Sequence, residues 1–373
     1  MTEADLVIVG GGPAGLATAI HAAQRGLTSV VLERRALPLD KACGEGVMPG
    51  GVAALAAMGV EVPEKGRAAF LGVRYVDGPA IAEARFARRP GWGVRRTALV
   101  EGMAARARTL GIELRYECEA GPWRRSGTRG LMVETAWGPV GARLLVGADG
   151  LLSRVRREAG LELPWRGRRR FGVRRHFRLR PWSPFVEVYW AEGIEAYITP
   201  VGPDRVGVAL LWDGSGGTFD ELLARFPAVR ERLQGAPAET EARGSGPFRQ
   251  GVRRRHADRV ALVGDAAGYL DAITGEGLTL AFESAAALAE VITDAKPLGA
   301  YEMTYRRLSR TYYWMTALVL AVAARPGLRR RVVNALARDP GLFDRLLAIN
   351  SGECPPSSLG MGGVLRLIEG LVC

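Results

Sequence analysis

Histidine and cysteine are scarce in this chain of 373 residues, which holds three histidines and four cysteines. Cys43, Cys118, Cys354 and Cys373 stand far apart with no Cys-x-x-Cys spacing. That pattern argues against a disulfide framework or a zinc site, so no metal is expected and a cytoplasmic setting is. His21 falls inside the first expected helix and His256 in a loop before a late strand, so neither points to an acid–base pair. Long apolar runs are also missing, and the longest near the C-terminus, residues 317–324, is too short to span a bilayer. Residues 5–15 pass from a strand straight into a glycine loop, without the basic stretch or cleavage site of a secretory leader, so none is expected. No zinc-finger or RNP signature appears, which makes nucleic acid the weakest partner for a chain of net charge +12.

Arginine and glycine are plentiful instead. The charge favours anions: a cofactor's phosphates, an anionic substrate or carrier, or a membrane surface touched peripherally. A general arginine bias would leave the same trace. The 49 glycines are spread among apolar segments, so they read as turns and ligand loops. The length exceeds one ordinary core and suits two interleaved domains.

The spacing of apolar residues predicts a strand at 5–9, a helix over 12–25 that Gly26 ends, and a second strand at 28–32. Gly10-Gly11-Gly12-Pro13-Ala14-Gly15 sits at the first strand–helix junction. Gly10 permits the tight turn, Gly12 lets backbone approach a pyrophosphate, and Gly15 allows close helix–strand packing. Phosphates then meet the free N–H groups of the helix start, with Pro13 and Ala14 beside them. Glu33 ends the second strand and is placed to accept ribose hydroxyls, with Arg34 next to it. Together these features form a dinucleotide site.

Two further motifs follow in order. Gly147-Ala148-Asp149-Gly150 closes a short strand at 144–146, and Val263-Gly264-Asp265-Ala266-Ala267-Gly268 precedes Gly275-Glu276-Gly277 and a long helix. With the first loop they resemble the DG and GD motifs of FAD-dependent monooxygenases and reductases of the glutathione-reductase-like type, over roughly residues 1–300. The resemblance implies FAD as cofactor, with Asp149 and Gly264 at it, Asp265 on a ribityl hydroxyl, and Gly275, Glu276 and Gly277 at the flavin. It also implies that Arg96, at the start of a helix over 97–108, contacts the flavin nucleotide.

The stretch Asp40-Lys41-Ala42-Cys43-Gly44-Glu45-Gly46 is similar to the Cys-Gly loop of the geranylgeranyl reductase-like branch. That likeness puts Cys43 and Gly44 at the isoalloxazine and makes Cys43 the candidate catalytic residue, either shaping the pocket or donating a proton opposite a hydride. The same stretch partly resembles a loop of flavin-dependent halogenases. The tryptophan pair those enzymes carry is missing around Tyr197, and Lys41 precedes the loop instead of following it, so halogenation is disfavoured.

Strand-like pieces at 171–179, 185–190, 195–199 and 206–211 predict an antiparallel β-sheet, followed by a short helix at 219–226 and a polar connector over 235–246. Eight arginines between 166 and 180 read either as a solvated strand face with His176 structural, or as a site for an anionic substrate tail. The aromatic-rich stretch 301–320 packs a core or lines an apolar tunnel. The expected fold is α/β: a Rossmann-type FAD-binding domain from residues 1–70, 96–165 and 251–300, a β-sheet substrate domain from 71–95 and 166–250, and a helical region over 301–373. No second dinucleotide loop follows the first, so electrons would come from transient NAD(P)H, a separate reductase or a small carrier. The expected activity is reduction or dehydrogenation of a hydrophobic isoprenoid or polyketide-like substrate at a C=C or C–C bond through flavin N5. Hydroxylation or epoxidation through a C4a-hydroperoxide is the alternative, and a flavin electron carrier without substrate is a third.

Overall fold

The structure is a computed structural model that describes residues 2–127, 130–165, 167–214 and 216–363. Arg166, within the arginine-rich run, and residues 364–373, at the end of the expected helical region, lie outside the described residues. In chain order the elements that position the site begin with β1 (Thr2–Val9), α1 (Pro13–Ala23), β2 (Ser29–Leu32) and α2 (Pro49–Ala57). They continue with β3 (Gly72–Asp77), β4 (Ala80–Arg85), α3 (Arg96–Thr109), β5 (Glu113–Arg115), β6 (Val140–Gly147) and α4 (Arg154–Glu158). Next come β7 (Arg170–Arg178), β8 (Val186–Ala191), β9 (Ile194–Gly202), β10 (Arg205–Asp213), β11 (Arg243–Ser245) and β12 (Val260–Leu262). The chain then turns helical: α5 (Gly277–Thr293), α6 (Leu298–Ala323), α7 (Pro326–Arg338) and α8 (Pro340–Asn350).

β12, β6, β1, β2 and β5 pair in that order, all parallel. Residues 6–9 of β1, 30–32 of β2 and all of β12 are continuous apolar runs because both faces are covered there, whereas the edge strand β5 is polar. Leu6, Val7 and Ile8 are wholly buried, and α1 packs against α3 and α5. Pro13 opens α1 at a position where its missing N–H is no loss.

The second sheet runs β11-β7-β10-β9-β8-β3-β4 and is antiparallel except between β8 and β3. Alternation is clearest over residues 194–199 of β9. Ile194, Ala196 and Ile198 of β9 belong to a core with Phe219 and Leu222, whereas Glu195, Tyr197 and Thr199 point the other way, towards the cofactor loops. The single helix expected at 219–226 is two, Phe219–Leu223 and Pro227–Arg232, because Pro227 cannot continue a preceding helix and starts its own. The polar connector over 235–246 contains β11, which pairs with Gly172–Arg174; three residues are too few to show alternation.

A small third sheet joins Gly46–Val47 to Gly91–Val94 and Arg67–Phe70, anchoring the end of the cysteine loop. Pro326 and Pro340 each open a new helix, and α7 and α8 pack across β4. Val333, Leu336 and Phe343 share a core with Ala82 and Ala84. Among the described residues no helix is long and apolar enough to cross a membrane.

Candidate functional site

The glycine loop is built as its spacing requires. Gly10 has φ +112°, and a Cβ there would sit 2.4 Å from the Ala148 carbonyl oxygen. A Cβ on Gly15 would lie 1.9 Å from the Gly10 carbonyl oxygen, so the first turn of α1 closes on the loop only with glycine. A Cβ on Gly12 would meet nothing within 4 Å. The start of α1 therefore faces open space, where N–H groups await an anion.

Glu33 reaches this loop from the end of β2. Its carboxylate accepts the Gly11 N–H at 2.9 Å and the Arg35 N–H at 3.0 Å. Each oxygen has a second lone-pair site, so a ribose hydroxyl remains within its capacity. Arg34 is exposed on the rim. Asp149 does structural work: it accepts from Ser153 Oγ at 2.5 Å and from the Arg154 and Val155 N–H groups at 2.7 and 3.0 Å, holding the start of α4.

Arg156, whose role the sequence did not reveal, joins the two later motifs. It is fully buried, and its guanidinium donates to Leu151 O at 2.9 Å, Gln250 Oε1 at 3.0 Å and Ala266 O at 3.3 Å. Asp265 pairs with Lys41 at 2.8 Å. Burial would raise its pKa, but Lys41, then Arg96 and Arg156, hold it below the usual carboxylate range.

The cysteine loop is clamped from behind. Glu45 adopts φ +58° and is buried; it accepts the Arg96 N–H at 2.8 Å and meets His176 Nε2 at 2.5 Å. Burial would raise its pKa, but the bond to His176 and the nearby Arg174 outweigh it and hold the carboxyl low. Thr199 donates to Gly44 O at 2.9 Å. Cys43 is a half-buried free thiol, and the Arg96 guanidinium lies beside it with Asp265 and Glu45 as further charged neighbours.

Arg168, Arg169, Arg178 and Arg180 of the arginine run are exposed, as a solvated face requires, but two of its arginines turn inward. Arg170, Arg174 and His176 share one face of β7, and that face turns inward. Arg174 is 1% exposed and pairs with Asp40. Arg170 binds Glu195 at 2.6 Å and Asp271 at 3.0 Å. Buried carboxylates on other elements make these inward arginines tolerable, and one strand's sequence cannot reveal them. His176 is a buried strand residue, as expected, with a specific partner.

One cavity of about 1200 Å³ connects these parts. Its wall takes in Gly10, Gly12, Pro13, Ala14, Glu33, Arg34, Cys43, Gly44, Arg96, Asp149, Gly264, Asp265, Gly275 and Gly277. Gly15 and Glu276 are not on it. Gly15 packs behind the loop. Glu276 is buried with Oε1 lacking a hydrogen-bond partner among the described residues, and burial pushes its carboxyl up to about 8. Beyond the loops the wall turns apolar, between β8 and helices α6 to α8, with Val188, Trp190, Met315, Val319, Leu336 and Phe343. Tyr301 and Tyr305 of the aromatic stretch are core residues, while Met315 and Val319 further along α6 line the tunnel.

The open start of α1, the acid at the end of β2 and the long cavity between them fit a dinucleotide carrying an extended ring system. Comparison with known proteins gives the same result. The chain is 30% identical over 302 residues to the dialkyldecalin synthase of Streptomyces rugosporus, covering 75% of this chain but only 63% of that protein. It is 28% identical to digeranylgeranylglycerophospholipid reductase 2 of Methanosphaera stadtmanae, over 76% of each. A flavoprotein/dehydrogenase of Cytophaga hutchinsonii shares the fold with a TM-score of 0.84 at 19% identity, covering 99% of this chain and 98% of that one. The model of the FAD binding domain matches residues 3–189, half of the chain: the protein belongs to that family, and FAD is its cofactor.

Proposed function

We propose that the chain is an FAD-dependent reductase that saturates carbon–carbon double bonds in a long isoprenoid or polyketide-like substrate. The observation that carries this reading is the continuity of the cavity from the cofactor loops into an apolar tunnel. Each methylene buried there contributes about 0.8 kcal/mol, so a tunnel of this kind recognises chain length cumulatively. The reductase relative's named substrate is a lipid with geranylgeranyl chains.

Under this reading Gly10, Gly12, Pro13 and Ala14 hold the pyrophosphate, Glu33 the adenosine ribose, and Arg96 and Asp265 the flavin half. Residues 1–70, 96–165 and 251–300 form the cofactor domain, and 71–95 with 166–250 the sheet that covers it. FAD, when bound and reduced with two electrons by NAD(P)H or a separate reductase, would supply the hydride. The chain's residues do the rest: the tunnel aligns the substrate and excludes water, and Cys43 Sγ holds the proton for the second carbon. The Glu45–His176 clamp fixes the loop on which that thiol sits.

The test is incubation of the FAD-loaded protein with dithionite and a geranylgeranyl lipid under argon, followed by mass spectrometry. Each reduced double bond adds two hydrogens to the product. A product that forms only in air and gains oxygen instead would make the protein a monooxygenase.

A further inference from the structure

The apolar part of the cavity is walled by a helix whose outer face is exposed and apolar. α6 turns Trp314, Ala317, Leu318 and Ala321 outward, a spacing that places them on one side of the helix. Trp314 is 50% exposed and Leu318 40%. Leu318 also lines the cavity, as do Val319 and Val322 on the same helix and Leu328 at the start of α7. The face is thus the outside of the tunnel wall.

Its charge is one-sided. Between Glu302 and Asp339 the chain carries eight arginines and no acidic residue. Arg329 is spent internally on Asp77 at 2.9 Å, and Arg306 on Glu302 at 2.7 Å. Arg310 lies one helical turn before Trp314, and Arg325, Arg330 and Arg331 follow the apolar stretch; all four are exposed.

We infer that this face docks on an anionic lipid surface and that the tunnel draws its substrate chain directly from the bilayer. The inference rests on the reading of the tunnel as a site for a lipid chain. Trp314 and Leu318 enter the headgroup layer, where an amphipathic indole is favoured. The arginines meet lipid phosphates, whose negative surface potential attracts them. A chain taken from the bilayer at this face also never has to pass through water, where each exposed methylene is costly. An acidic protein partner would satisfy the arginines but gives no reason for Trp314 and Leu318 to stand exposed between them.

The test is flotation of the FAD-loaded protein with vesicles of phosphatidylglycerol and phosphatidylcholine, against vesicles of phosphatidylcholine alone. The wild type floats with the anionic vesicles, and high salt releases it. Trp314→Glu and the double variant Arg330→Glu/Arg331→Glu each weaken this binding about tenfold or more while keeping bound FAD and the wild-type melting temperature. Wild-type protein that ignores anionic vesicles, or variants that bind like wild type, would overturn the proposal. So would a dimer in sedimentation that Trp314→Glu dissociates, because the face would then belong to a second copy. Flotation requires no turnover, so a failed reduction assay with intact vesicle binding sinks the reductase reading and leaves the docking face standing.

Discussion

Glu45 Oε2 and His176 Nε2 meet at 2.5 Å in the interior, tying the cysteine loop to the sheet that covers the cofactor loops. His176 is held in turn by Thr240 Oγ1 at 3.0 Å. His176→Ala leaves Glu45 buried without its main partner, and breaking such a pair costs about 3–5 kcal/mol. Urea unfolding measures that loss. Because Glu45 is held below its ordinary pKa, its contribution is present at neutral pH and is lost as pH falls through the folded value. The gap between wild type and variant therefore narrows in acid. A loss below about 1 kcal/mol at neutral pH would mean that the pair does not clamp the loop.

Gly12 and Gly15 separate cofactor binding from folding. A methyl on Gly15 collides with backbone at 1.9 Å, so Gly15→Ala lowers the melting temperature of the apoprotein and abolishes FAD binding. A methyl on Gly12 enters open space, so Gly12→Ala keeps the apoprotein's melting temperature and weakens FAD binding alone. Flavin absorbance after desalting, set beside apoprotein melting, reads both. Tight FAD binding by Gly12→Ala would displace the pyrophosphate from this position.

The nucleotide-binding half was legible because its constraints are local: a strand, three spaced glycines, a helix and an acid all fall within residues 5–33. The β9 strand was legible too, though only its alternation separates Tyr197 and Thr199, which face the loops, from Ile198, which does not. What stayed hidden depends on distant partners. The inward turn of Arg170 and Arg174 makes sense only once Glu195, Asp271 and Asp40 are brought against them. Glu45 has no partner in its own loop sequence to mark it, because its partner His176 lies 131 residues away.

Arg156 is the bolt between the DG and GD loops. Lysine cannot reproduce its planar fork, so Arg156→Lys abandons at least one of the carbonyls of Leu151 and Ala266 or the side chain of Gln250. The expected cost is about 1–3 kcal/mol in urea unfolding, together with weaker FAD retention. Wild-type stability in this variant would remove Arg156 from that role.

Glu276 gives the protein a pH-dependent weakness. Its folded pKa of about 8 lies above the unfolded value of 4.5, so the folded state holds the proton more tightly. The resulting stability is complete below the unfolded pKa and is lost as pH rises through the folded one. Between those two values the loss is at most about 1.4 kcal/mol per pH unit. Glu276→Gln keeps the shape without the proton, so its stability relative to wild type rises between about pH 5 and pH 8 and levels off above. Parallel pH profiles for the two proteins would show that the carboxyl is ionised at little cost.

The most direct measurement of the central claim is anaerobic stopped-flow oxidation of the reduced, FAD-loaded protein by polyprenyl lipids of increasing chain length. The lipid alone is expected to restore the oxidised flavin spectrum without oxygen, faster as the chain fills the tunnel, and Cys43→Ser to slow this step while leaving FAD bound. A flavin that stays reduced with every lipid until oxygen is admitted would contradict the reductase assignment.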